Sequence, residues 1–258
     1  MTAMSWQPIG QNWVLLPRRP IAIVHFLGGA FVGVAPQFSY GKLLEAIAAQ
    51  GYAIIATPFV NTFDHQAIAT SVLNQLESTL DRLERSRALN PYLPLYGLGH
   101  SMGCKLHLLI GSLFDEKRAG NILMSFNNFD VDRAIPLGEW MRKAATVEFS
   151  PTPAQTRLLV QRHYPTPRNL LIRFHNDDLD QTQQIVHILG DRFADMVTLK
   201  RLQGNHLTPL GQTFQWQTQG QFSPLDALGQ WFKQELYRDH AHLEQTILDW
   251  LHPLSKSF

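Results

Sequence analysis

The sequence has one cysteine, no long apolar run and no surplus of charge of either sign, and each shortage removes a class of protein. With Cys104 alone among 258 residues, no intramolecular disulfide can form, and a reducing compartment is expected. No apolar stretch reaches the roughly 18 residues that a bilayer span needs, so no integral membrane segment is expected. Lys and Arg number 22 against 21 Asp and Glu, a net charge of +1. That balance gives no electrostatic ground for binding nucleic acid or an anionic surface. Residues 1–6 show neither the cationic start nor the apolar core of a signal peptide, and the reading is a cytoplasmic protein. Metal-ligand spacing is missing as well. His240 and His242 stand two apart on a helical pattern, where their side chains face apart. No metal and no cofactor are expected.

What is present is a rhythm. Strand-like runs at 21–26, 52–57, 93–98, 121–126, 170–174 and 196–202 alternate with helical patterns at 38–50, 64–88, 104–114 and 181–192. This alternation implies an α/β fold, a mostly parallel sheet with helices on both faces, here preceded by an antiparallel arm at 13–16. The length suits a single domain over 1–258. Between about 129 and 168 the rhythm fails. Two helical patterns, 138–147 and 153–164, lie among Pro136, Pro151, Pro153, Pro165 and Pro167 with no strand between them. This segment reads as a helical cap over the carboxyl edge of the sheet, and Leu158 and Leu159 are expected on its apolar face.

The most informative stretch is Gly99-His100-Ser101-Met102-Gly103, between a strand-like and a helix-like run. Glycine, serine and glycine at this spacing, in that setting, form a nucleophile elbow: a sharp turn that exposes the serine hydroxyl at the start of a helix. Glycine is needed on both sides because the turn brings strand and helix too close for side chains. The competing reading of Gly97-x-Gly99-x-x-x-Gly103 as a dinucleotide-binding run requires an acid at the tip of the next strand. That strand ends in Asn127 and Asn128 instead.

A serine nucleophile needs a base and an acid, which in elbow hydrolases follow in the order Ser, Asp, His from loops after the last strands. Those loops hold His175-Asn176-Asp177-Asp178-Leu179-Asp180 and Gln203-Gly204-Asn205-His206. Ser101, Asp178 and His206 are the expected triad. Asp177 and Asp180 are the alternative acids, with any unused acid capping the helix near Gln181, and His175 is the rival base. Of the eleven histidines, His65, His187, His240, His242 and His252 read as surface residues, and His107 as packing beside the elbow. The oxyanion donors are expected to be the N–H of Met102 and one from Gly29, Ala30 or Phe31. Phe31, His100, Trp140 and Met141 are expected to contact substrate.

The elbow, the acid loop and Gly204-Asn205-His206 resemble the α/β-hydrolase superfamily. Residues 25–31, 36–40, 51–59 and 204–209 are similar to a hydrolase-like family of cyanobacteria and chloroplasts. The resemblance implies the α/β-hydrolase fold and a Ser-His-Asp triad, and it names no substrate. In one place the chain departs from the superfamily: its oxyanion loop reads Leu27-Gly28-Gly29-Ala30, without the His-Gly sequence common there. The expected function is a serine carboxylic-ester hydrolase that forms an acyl-enzyme from a small-molecule substrate, a hydrophobic acyl or prenyl ester. A thioesterase or acyltransferase with the same triad, and a non-catalytic binding protein, are the alternatives.

Overall fold

The structure, a computed structural model, describes residues 4–129, 148–210 and 236–252. Among them runs an eight-stranded sheet in the order β1-β2-β4-β3-β5-β6-β7-β8. The strands are β1 (Gln7–Ile9), β2 (Asn12–Leu15), β3 (Ala22–Leu27), β4 (Tyr52–Ala56), β5 (Leu95–His100), β6 (Gly120–Met124), β7 (Asn169–Asn176) and β8 (Val197–Asn205). β1 and β2 pair antiparallel, as does β2 with β4. Every later pairing is parallel.

The inner strands are apolar runs because both of their faces are covered. Alternate side chains separate into two cores. Val24, Phe26, Ile54, Leu98, Met124 and Ile172 pack beneath α2 (Gly41–Ala49) and α7 (Leu236–Leu251). Ile23, Leu27, Ile55, Leu123 and Leu171 face the opposite layer. That layer consists of α3 (His65–Arg85), α4 (Met102–Phe114), α5 (Pro153–His163) and α6 (Thr182–Phe193), while the short α1 (Pro36–Ser39) leads into α2.

Helix starts follow local chemistry. The Asp64 carboxylate accepts from Ala67 N at 2.9 Å at the head of α3. Thr152 and Gln155 form a capping box on α5, with Pro153 in its first turn.

α5 corrects part of the cap expectation. It packs in the main helical layer, with Val160 buried beside α4 and α6 and Leu159 against the core that α3 shares with α4. The chain between β6 and β7 must cover parallel strands, and α5 supplies that cover. Leu158 is 46% exposed. The rest of the expected cap, Trp140 and Met141 included, lies outside the described residues. His65 and His240 are also buried rather than on the surface. His65 stacks on Phe149 with ring centroids 4.4 Å apart.

Candidate active site

β5 delivers the chain to Ser101, whose φ of 55° and ψ of −117° are strained for any side-chain-bearing residue, and α4 begins at the next residue. The flanking glycines have no alternative. A Cβ on Gly103 would sit 2.0 Å from Leu27 O, and one on Gly99 would sit 2.7 Å from Cys104 N, both backbone atoms that cannot give way. Strand β3 and helix α4 therefore touch through Gly103. This contact also brings the loop after β3 beside the elbow.

Ser101 is 7% exposed. Its Oγ accepts a hydrogen bond from Asn127 Nδ2 at 2.9 Å, and among the described residues it makes none to His206. Asn127 follows β6, at the same carboxyl edge. Its neighbour Asn128 is held by Gln181 at 2.7 Å and Pro153 at 3.0 Å.

The imidazole of His206 donates from Nδ1 to both oxygens of Asp177, at 3.0 and 2.9 Å. This corrects the expectation of Asp178, whose side chain is exposed. The cause is strand pairing. β7 continues to Asn176, and from Phe174↔Leu202 to Asn176↔Asn205 the register advances two residues on β7 against three on β8. Gly204, at φ 118°, occupies that irregularity. The first residue past β7 then meets the first residue past β8. The Asp177 side chain is fully buried. Burial alone would raise its carboxyl, but the hydrogen bond and charge of His206 and the N–H of Leu179 outweigh this and hold it below the usual carboxylate range. Asp180 serves elsewhere. It accepts from Thr182 N at 3.0 Å at the start of α6 and pairs with Arg173 at 2.7 Å. His175 is exposed.

His100 does not face substrate space, contrary to expectation. It is 1% exposed, with Nδ1 2.8 Å from Tyr40 Oη and Nε2 2.7 Å from the carbonyl of His206. Burial, with the neighbouring His206, lowers its pKa to about 3. Gly29 is also corrected as an oxyanion donor, because its N–H is spent on Tyr40 Oη at 2.8 Å. The N–H groups of Met102, at the head of α4, and of Ala30 remain. Phe31 is 55% exposed on this loop. Asn127, Tyr40 and Asp177's pairing carried no local sequence signal, since each contact is made across the sheet.

A cavity of about 290 Å³ is lined by Val34, Phe59, Val60, Ile68 and Gln75, and neither Ser101, Asp177 nor His206 is among its lining residues. Cys104 is fully buried, its Sγ 3.2 Å from Met124 O, and burial pushes the thiol pKa well up. The native protein should therefore react with Ellman's reagent at least about 100-fold more slowly than the unfolded chain. Equal rates would contradict this burial.

A family model described as "Protein of unknown function (DUF1350)" matches residues 5–253. Among curated proteins, none matches the chain. Solved structures share its fold. A sugar hydrolase from Lactococcus lactis is 16% identical, with a TM-score of 0.62 over 97% of this chain and 98% of that one. Carboxyl esterase 2 from the fungus Tuber melanosporum is 15% identical, with a TM-score of 0.58 over 97% and 86%. The fluorophosphonate-binding serine hydrolase F of Staphylococcus aureus is 15% identical, with a TM-score of 0.58 over 79% and 91%. At these identities the likeness establishes the α/β-hydrolase fold.

Proposed function

We propose that this chain, which belongs to the DUF1350 family and carries the α/β-hydrolase fold, is a serine hydrolase of carboxylic esters. One observation carries the reading. His206, its Nδ1–H on the buried Asp177 carboxylate, holds its ring centroid 5.0 Å from that of His100, tilted by 48°, and His100 is the residue next to the strained Ser101. That bond leaves Nε2 as the accepting nitrogen.

Attack begins when Ser101 Oγ turns from Asn127 and gives its proton to His206 Nε2. The Oγ forms a bond to the acyl carbon, and the carbonyl π pair becomes an oxyanion facing the N–H groups of Met102 and Ala30. The alcohol leaves with the proton from His206, and the acyl group stays on Ser101. Water then gives a proton to Nε2, adds to the acyl carbon and releases the acid, and Oγ recovers its proton. Asp177 stays ionised and steadies the imidazolium throughout. A hydrophobic acyl group is favoured because Phe31 lies exposed on the oxyanion loop; Trp140 and Met141 are proposed to add to its contacts.

A fluorophosphonate probe tests the reading without knowledge of the substrate. The wild type should be labelled and Ser101→Ala should not. A wild type that takes no label would favour a binding protein instead. Comparing p-nitrophenyl butyrate with butyryl-coenzyme A then separates esterase from thioesterase.

A further inference from the structure

Tyr40 and His100 complete a buried chain of hydrogen bonds that the proposed reaction does not itself consume. The distances are 2.8 Å from Gly29 N to Tyr40 Oη, 2.8 Å from Tyr40 Oη to His100 Nδ1, and 2.7 Å from His100 Nε2 to His206 O. Chemistry allows these bonds one direction only. The His206 carbonyl can only accept, so the His100 proton is on Nε2. Nδ1 of that neutral ring then has only a lone pair, so Tyr40 must donate to it. The Tyr40 oxygen in turn accepts from Gly29.

Each end of the chain adjoins a group the reaction needs. Gly29 precedes Ala30, a proposed oxyanion donor. His206 is the proposed base, anchored here by its own backbone. His100, in the middle, precedes the proposed nucleophile. Tyr40 itself is immobilised. It is fully buried, packs on Phe26 with ring centroids 4.6 Å apart, and lies so close to Gly28 that a Cβ there would be 2.8 Å from its ring.

We infer that Tyr40 and His100 are positioning residues that set the base loop and the oxyanion loop in one register around Ser101. The inference rests on the serine-hydrolase reading above. A displacement of the His206 backbone is transmitted through two rigid rings to Gly29, so neither loop can move alone. The sequence between β3 and α2 supplies the tyrosine, and the elbow supplies the histidine.

The test uses Tyr40→Phe, which keeps the ring and removes the oxygen. His100→Gln is its partner, keeping a donor for the His206 carbonyl while losing the lone pair that holds Tyr40. Three quantities are measured in both variants after circular dichroism shows them folded. Amide exchange at Gly29 should rise about tenfold or more, because its acceptor is lost or set free. The kcat on p-nitrophenyl butyrate should fall about 10- to 100-fold with KM within about twofold, as for an interaction made in the transition state. Affinity for a trifluoromethyl ketone, which forms a tetrahedral oxyanion on the serine, should fall in parallel with kcat. A merely structural role would leave the ratio of ketone affinity to KM unchanged. Unaltered Gly29 exchange in His100→Gln, or wild-type kcat in both variants, would overturn the positioning role while leaving the hydrolase reading intact. A wild type that takes no fluorophosphonate would overturn the hydrolase reading itself, and the positioning role with it.

Discussion

Asp177→Asn should lower kcat on p-nitrophenyl butyrate by about 10³- to 10⁴-fold, the loss seen when a buried acid is removed from such triads, while Asp178→Asn stays within about twofold of wild type. Replacing a carboxylate oxygen with an amide presents a donor to His206 Nδ1. The imidazole then places its proton on Nε2, which must be bare to take the proton from Ser101. The fully buried Asp177 side chain has the two bonds to His206 to lose; the exposed Asp178 has neither. KM should move little for either variant. If Asp178→Asn proves the crippling change, the assignment of the acid is wrong, and with it the account of the β7–β8 register.

Stability should fall steeply as pH drops from 6.5 to 5. His25, His100 and His107 are buried neutral, with their pKa values lowered first of all by desolvation. The hydrogen bonds show why protonation is resisted. Arg118, itself buried, lies 3.0 Å from His107 Nδ1 and 3.1 Å from His25 Nδ1 and can only donate to both. His25 Nε2 then donates to Thr57 at 2.9 Å, and His107 Nε2 to the carbonyl of Leu98 at 3.1 Å. His100 Nδ1 likewise accepts from Tyr40. A proton added to any of these acceptor nitrogens breaks a bond, and beside Arg118 it buries a second positive charge. His65, at about 3, and His240, at about 4, are lowered in the same direction by burial.

The folded pKa values lie below the unfolded value of about 6.5, so the unfolded chain binds more protons in this window. The stability these groups contribute is complete above about pH 6.5 and is lost as pH falls. Each such histidine costs about 1.4 kcal/mol per pH unit, hence about 2 kcal/mol by pH 5. The three with assigned tautomers together cost about 6 kcal/mol, against a total stability of about 5–15 kcal/mol for a domain. Asp177, whose carboxyl is lowered, matters only below about pH 4 and does not contribute here. Urea unfolding followed by circular dichroism at pH 7.5, 6.5, 5.5 and 5 should show the free energy falling with a limiting slope equivalent to at least about three protons, rising toward about five as His65 and His240 add theirs. A flat profile would mean that these histidines titrate normally and are not held as acceptors.

The elbow was legible in the sequence because its demands are local. A turn that admits no Cβ at Gly99 or Gly103 leaves glycine as the only residue at both positions. The sheet was legible for a similar reason, since alternating apolar runs and helical periods record which stretches are covered on both faces. The partial cap was misread at α5 because a helix covering β6 and β7 and a helix above the sheet have the same apolar period. Helical period likewise could not reveal that His65 and His240 face inward, which depends on what packs against each helix.

Counting residues from the end of a strand could not choose between Asp177 and Asp178. The choice depends on β7 and β8 pairing out of step, a property of two strands at once. Tyr40's capture of the Gly29 N–H, and Asn127's hold on Ser101, join residues from different strands and loops. The chain by itself determined the conformations that backbone sterics and apolar period dictate within a few residues. The tertiary structure alone decided which polar groups meet, because a hydrogen bond is made or missed within about an ångström. Only the assembled sheet sets distances between loops that closely.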